Sequence, residues 1–150
     1  MGIEEYLLPK HVNLALKSTD RASALDEVMA PLRGDVRIQN WEKLRASVLG
    51  RDAPAVSEHG RGVCLAHGRS DAVNHLIMAA GKFVEPIAFP EIPEKVYLVF
   101  VVGIPTTMRS EYLRVIGSIA RICRDPVQLE HLLRSRTAEE FIQRLAAGEA

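Results

Sequence analysis

Apolar residues along this chain change their spacing several times, and each change marks an element. The opening is irregular, because Pro9 interrupts any early helix. Val12, Leu14 and Leu16 then alternate with other positions, the period of a short strand. Ser18-Thr19-Asp20 offers a helix cap, and Ala22, Leu25, Val28, Met29 and Leu32 follow at helical spacing until Gly34. Trp41, Leu44, Val48 and Leu49 mark a second helix, which Gly50 stops.

The middle of the chain reads differently. Residues 50–70 are rich in glycine and polar side chains, and the pattern predicts short strands over 55–59 and 62–66. A further strand is predicted over 75–81. After a loop set by Pro86, Pro90 and Pro93, residues 96–102 form a buried, β-rich run. Helices are then predicted over 109–124, from Asp125-Pro126 to about 134, and over 137–147. Pro126 after Asp125 is a first-turn proline behind a cap, and Thr137-Ala138-Glu139-Glu140 is a capping-box pattern. These elements sum to an α/β fold, a single-domain sandwich spanning 1–150 with a small mixed β-sheet flanked by helices.

Composition narrows the function. The chain has 150 residues, and 19 basic balance 19 acidic side chains. A formal charge of zero argues against a nucleic-acid partner, which calls for a basic face. The longest apolar run, 96–104, falls far short of the ~20 residues that cross a bilayer, so no direct membrane insertion is expected. Cys64 and Cys123 form no CxxC and no Cys/His cluster, so no metal is expected. Without a signal-peptide pattern they read as reduced thiols in a cytoplasmic protein.

Candidate chemistry concentrates in 50–70, which ends Ala66-His67-Gly68-Arg69. GxGxxG, P-loop, HExxH and GxSxG motifs are all missing. The apolar run Val63-Cys64-Leu65 leads to His67, and Gly68 suggests a sharp turn that leaves backbone N–H groups accessible. A neutral imidazole held in one orientation keeps one free lone pair and suits a nucleophile. A phosphoryl group there needs hydrogen-bond donors and a guanidinium, which Arg51, Ser57, Arg69 and the Gly68 backbone are placed to supply. The plain alternative is a loop histidine exposed to solvent.

The segment Gly60-Arg-Gly-Val-Cys-Leu-Ala-His-Gly68 resembles the G-x-G-[IV]-A-[IVL]-P-H-[GA] signature of the fructose/mannitol-type enzyme IIA domains of the sugar phosphotransferase system, including their nitrogen-regulatory branch. The likeness covers nearly the whole chain. Residues 44–50 with Arg51-Asp52 are similar to the family's preceding helix and Arg-Glu pair. Glu85-Pro-Ile-Ala-Phe89, the 96–102 strand, Ser110-Glu111-Tyr112-Leu113 and the 137–142 helix match later segments in turn.

The resemblance implies a phosphorelay. His67 would accept a phosphoryl group from the carrier protein HPr, at the nitrogen remote from Cβ. It would pass the group to an enzyme IIB domain or keep it as a regulatory mark, with Arg51 contacting the phosphate. No cofactor is implied. Two residues depart from the family pattern: Ala66 replaces the proline before the acceptor, and Tyr112 replaces a second site histidine. Ala66 is expected to loosen the loop. A tyrosine hydroxyl donates and accepts but cannot become a cation near pH 7, so slower transfer or a shorter-lived phosphate is expected. Whether the chain acts as a transferase component is therefore left open. The alternative is an enzyme IIA-fold binding module that docks a transporter or sensor kinase without phosphotransfer.

The remaining candidates read as structural. His59, His75 and His131 are expected at the surface, and His11 either structural or exposed. Cys64 and Cys123 read as small buried hydrophobes and Trp41 as a core anchor. Arg109, Arg114, Arg121 and Arg124 read as a solvated stripe.

Overall fold

The computed structural model describes residues 2–50, 62–89 and 94–148. Four strands form one mixed sheet: β1 (Val12–Leu16), β2 (Val63–Ser70), β3 (Ile77–Ile87) and β4 (Val96–Pro105). Their spatial order is β1-β3-β4-β2. β1 runs parallel to β3, β3 antiparallel to β4, and β4 parallel to β2. Five α-helices, α1 (Arg21–Met29), α2 (Trp41–Leu49), α3 (Glu111–Arg124), α4 (Pro126–Leu133) and α5 (Ala138–Ala147), and three 3-10 turns (Ile3–Glu5, Pro9–His11 and Ala30–Leu32) complete the described residues.

Strand alternation divides the core into two layers. Cys64 and Ala66 of β2, Ile77 and Ala79 of β3, and Val99 and Val101 of β4 face α1 and α2. Val63, Leu65, Met78, Ala80, Leu98, Phe100 and Val102 face α3, α4 and α5, where Phe100 meets Phe141 with ring centroids 6.1 Å apart. The sheet is thus sandwiched between helices, as the alternation of elements in the sequence implies.

Helix starts follow the capping residues. Asp20 accepts the Ser23 N–H, Asn40 the Lys43 N–H, and Asp125 the amides of Val127 and Gln128. Thr137 accepts the Glu140 N–H at 3.0 Å. In the return bond the Arg136 N–H donates to Glu140 Oε1, one residue earlier than in the usual capping box.

The strands run longer than their patterns suggest. β2 continues four residues beyond the predicted end at 66, and β4 continues to Pro105. The two extend together, because their parallel ladder stays in register from Val63↔Leu98 to Ser70↔Pro105. β3 starts at Ile77 and runs on to Ile87, through Pro86, although proline usually marks a break. The register with β4 slips between Lys82 and Ile87, and Val84, Glu85 and Pro86 are exposed, so that stretch leaves the regular ladder. α1 closes at Met29 and passes into a single 3-10 turn, Ala30–Leu32, before Gly34. The strand predicted over 55–59 lies outside the described residues.

Candidate functional site

His67 sits inside β2, paired with Val102 of β4, not at a strand end as expected from the sequence. Gly68 makes no turn, for among the described residues only Gly34 and Gly62 have positive φ. Gly68 serves a different purpose. A Cβ built there would lie 2.6 Å from both the carbonyl oxygen and Oγ of Ser47 in α2. The missing side chain lets α2 lie directly against the strand, and the close approach keeps the backbone straight through His67. Ala66 is buried in the same layer, so the loosening expected of it has no loop to act on.

Gly62 opens the strand. Its φ of 69° is left-handed, and its carbonyl accepts the amides of Tyr97 and Leu98 at 2.9 and 3.2 Å. A side chain there would collide with the Tyr97 ring. The second glycine of the signature therefore fixes where β2 joins β4, and with it the height of His67 along the sheet.

Alternation from Val63 and Leu65 puts His67 and Arg69 on the face that carries α3, α4 and α5. His67 is half-buried and Arg69 exposed. Two strand residues apart, their Cα atoms are about 6.6 Å from each other. Arg69 reaches across the end of β4. Its Nη2 donates to the carbonyl oxygens of Thr106 at 3.0 Å and Met108 at 2.7 Å. Its guanidinium carbon stands 5.5 Å from the centroid of the Tyr112 ring, within cation–π range. Tyr112 is the second residue of α3, half-buried against the apolar layer beneath. The sheet thus brings together His67, Gly68, Arg69 and Tyr112, while Arg51, Ser57 and His59 lie outside the described residues.

The Arg69–Tyr112 contact was not legible in the sequence. It becomes readable once the strand is followed past residue 66, since positions 67 and 69 then share a face.

The remaining candidates sort plainly. Cys64 and Cys123 are buried, and burial pushes the Cys123 thiol up to about 12, which removes it from thiolate chemistry. Trp41 packs half-buried against the α1–α2 layer. His75 and His131 are exposed, as are Arg109, Arg114, Arg121 and Arg124 on α3 and its approach. His11 is the structural alternative of the two foreseen: it is 1% exposed, with Nε2 3.7 Å from Asp35 Oδ2. Arg37 holds that carboxylate through two forked bonds of 3.0 and 2.9 Å. Among the described residues, no group of three or more His, Cys, Asp or Glu side chains is arranged to hold a metal ion. No helix among them is long and apolar enough to cross a membrane.

Known proteins share this architecture. The chain superposes on the nitrogen-regulatory protein IIA-Ntr of Neisseria meningitidis with a TM-score of 0.86 and 23% identity, covering 95% of this chain and 98% of that one. It matches the mannitol IIA of Escherichia coli with a TM-score of 0.70 and 19% identity, covering 91% and 96%. It also matches the structure of E. coli mannitol IIA in complex with phosphorylated IIB, with a TM-score of 0.74 and 17% identity, covering 92% and 95%. At these identities the likeness concerns the fold. No curated protein sequence matches the chain. The family model described as phosphoenolpyruvate-dependent sugar phosphotransferase system, EIIA 2, matches residues 5–148, and the chain belongs to that family.

Proposed function

We propose that this protein is a phosphocarrier in which His67 accepts a phosphoryl group from phosphohistidine on HPr. The observation that carries this reading is the placement of His67: half-buried on a sheet face, in a register set by Gly62 and Gly68, with the Arg69 cation two residues away. In the transfer the lone pair of the neutral His67 imidazole attacks phosphorus. The P–N bond to the carrier's imidazole breaks as the new P–N bond forms. The carrier's ring, a phosphoimidazolium protonated on its other nitrogen, leaves as neutral imidazole and His67 becomes the phosphoimidazolium, so no further reactant is needed. The protein's part is to align the ring and balance charge on the phosphoryl oxygens. Arg51, Ser57 and the Gly68 backbone are the donors assigned to that task alongside Arg69.

The nitrogen-regulatory branch is favoured by the match to IIA-Ntr, and an enzyme IIB domain is the natural onward acceptor by analogy with the mannitol complex. Such a relay belongs in the cytoplasm. Incubation with phosphoenolpyruvate, enzyme I and HPr should add one acid-labile phosphate, and His67→Ala should abolish the gain. A gain that survives His67→Ala overturns the reading.

A second reading is favoured by Tyr112, which cannot supply the cation that a second histidine would. In it the fold docks a transporter or sensor kinase without phosphotransfer. No phosphate gain with several HPr proteins would select it.

A further inference from the structure

Arg69 does more than add charge near His67. Its side chain leaves the β2 edge, crosses the end of β4 and ties down the connection to α3 at three points: the Thr106 carbonyl, the Met108 carbonyl and the Tyr112 ring. Both carbonyls belong to the short turn after Pro105, whose own bonds run from the Met108 amide to the Pro105 carbonyl at 3.1 Å and from the Arg109 amide to Glu111 Oε2 at 3.2 Å. The next helix receives little help from its cap, since the Ser110 side chain makes no cap bond. Thr106, Thr107, Arg109 and Ser110 are exposed, and of this stretch Met108 packs, half-buried, against the core. The guanidinium bonds this turn to β2, two residues from the candidate acceptor.

We propose that Arg69 is a positioning residue: it clamps the β4–α3 turn and the Tyr112 ring to the acceptor strand, so that His67 and Tyr112 keep a fixed separation during phosphoryl transfer. A guanidinium fits this role because it donates in a plane and stacks through its flat face, whereas an ammonium does neither. With its Nη2 hydrogens directed at two carbonyls, Arg69 acts on transfer through the geometry of Tyr112 and the turn. The inference rests on the reading of His67 as phosphoryl acceptor.

Arg69→Lys and Arg69→Met test it by two independent measurements. The first needs no phosphate: in both variants hydrogen exchange at the Met108 and Leu113 amides should speed up at least about tenfold, while β3 amides keep their rates. The second is phosphorylation by phospho-HPr. The rate should fall by on the order of ten- to a hundredfold in both variants, in kcat, with KM for the carrier unchanged. Arg69→Lys keeps the charge, so its loss of rate assigns the effect to geometry. Arg69→Lys at the parent rate, a loss carried by KM alone, or unchanged exchange at Met108 would overturn the proposal. If the parent protein accepts no phosphate from any HPr tried, the acceptor reading fails, and the exchange measurement still decides the clamp.

Discussion

Two corners of this molecule hold a histidine beside an arginine, and they differ in burial and in what the arginine touches. At the N-terminal corner His11 is closed off, its Nδ1 buried without a hydrogen-bond partner, and Asp35 and Arg37 are locked in a forked pair beside it. At the β2 edge His67 is half-buried, and the neighbouring arginine is tied to carbonyls and an aromatic ring, with no carboxylate on its guanidinium among the described residues. The difference is one of charge balance as well as access. Asp35 neutralises Arg37 at the first corner, whereas the contacts of the Arg69 guanidinium are to neutral groups. Residue type alone does not distinguish a structural histidine from a candidate acceptor; burial and the partner's charge do.

The largest expected effect separates the corners outright. His67→Gln should remove phosphoryl acceptance, read as loss of the acid-labile mass gain, and leave the urea midpoint nearly unchanged. His11→Ala should do the reverse: acceptance persists, and stability falls by on the order of 2 kcal/mol as a packed site empties. If His11→Ala abolished acceptance in a folded protein, the contrast between the corners would collapse.

Gly68→Ala comes next. The added methyl meets the backbone of α2, so a cost of about 1–3 kcal/mol is expected in chemical denaturation. A neutral outcome would mean that α2 gives way easily and does not hold the strand.

The third prediction concerns pH. Burial holds the His11 imidazole below its ordinary value of 6.5, against the opposing pull of Asp35, with Arg37 and Lys10 acting in the same direction as burial. The unfolded chain therefore takes up the proton first. The stability that neutral His11 contributes is complete above pH 6.5 and is lost as pH falls below it. The Arg37 side-chain hydrogen bond holds the Asp35 carboxyl far below the usual range, so Asp35 stays charged throughout that window. The urea midpoint should decline between pH 7.5 and 5, and the decline should be shallower in His11→Gln. An equal slope in the two proteins would remove His11 from the account.

The smallest effect sharpens the corner at the β2 edge. Tyr112→His restores a group that can carry charge, so a severalfold longer phosphate lifetime is expected at pH 6, where histidine is partly protonated. Equal lifetimes in the two proteins would show that Tyr112 does not limit the phosphorylated state.

Much of this was legible in the sequence. Asp20, Asp125 and Thr137 start three helices by chemistry that needs no tertiary context. The signature around His67 pointed to the family that the 5–148 match shows. What escaped was long-range. Gly68 looked like a turn because the packed helix that explains it is twenty residues upstream. Residues 67–70 carry three polar side chains and a glycine, so no apolar period marks them as strand. They are extended because β4 offers them a ladder. The partners of His11 lie across a connection that local pattern does not bridge.

The contact between Gly68 and Ser47 has one more consequence, for how such a protein changes over generations. Any side chain at position 68 strains the fold whether or not phosphate is ever transferred. A lineage that abandoned the relay and kept the domain for docking would still be obliged to keep this glycine. Its presence next to a histidine records the packing of a helix, and it would outlast the chemistry.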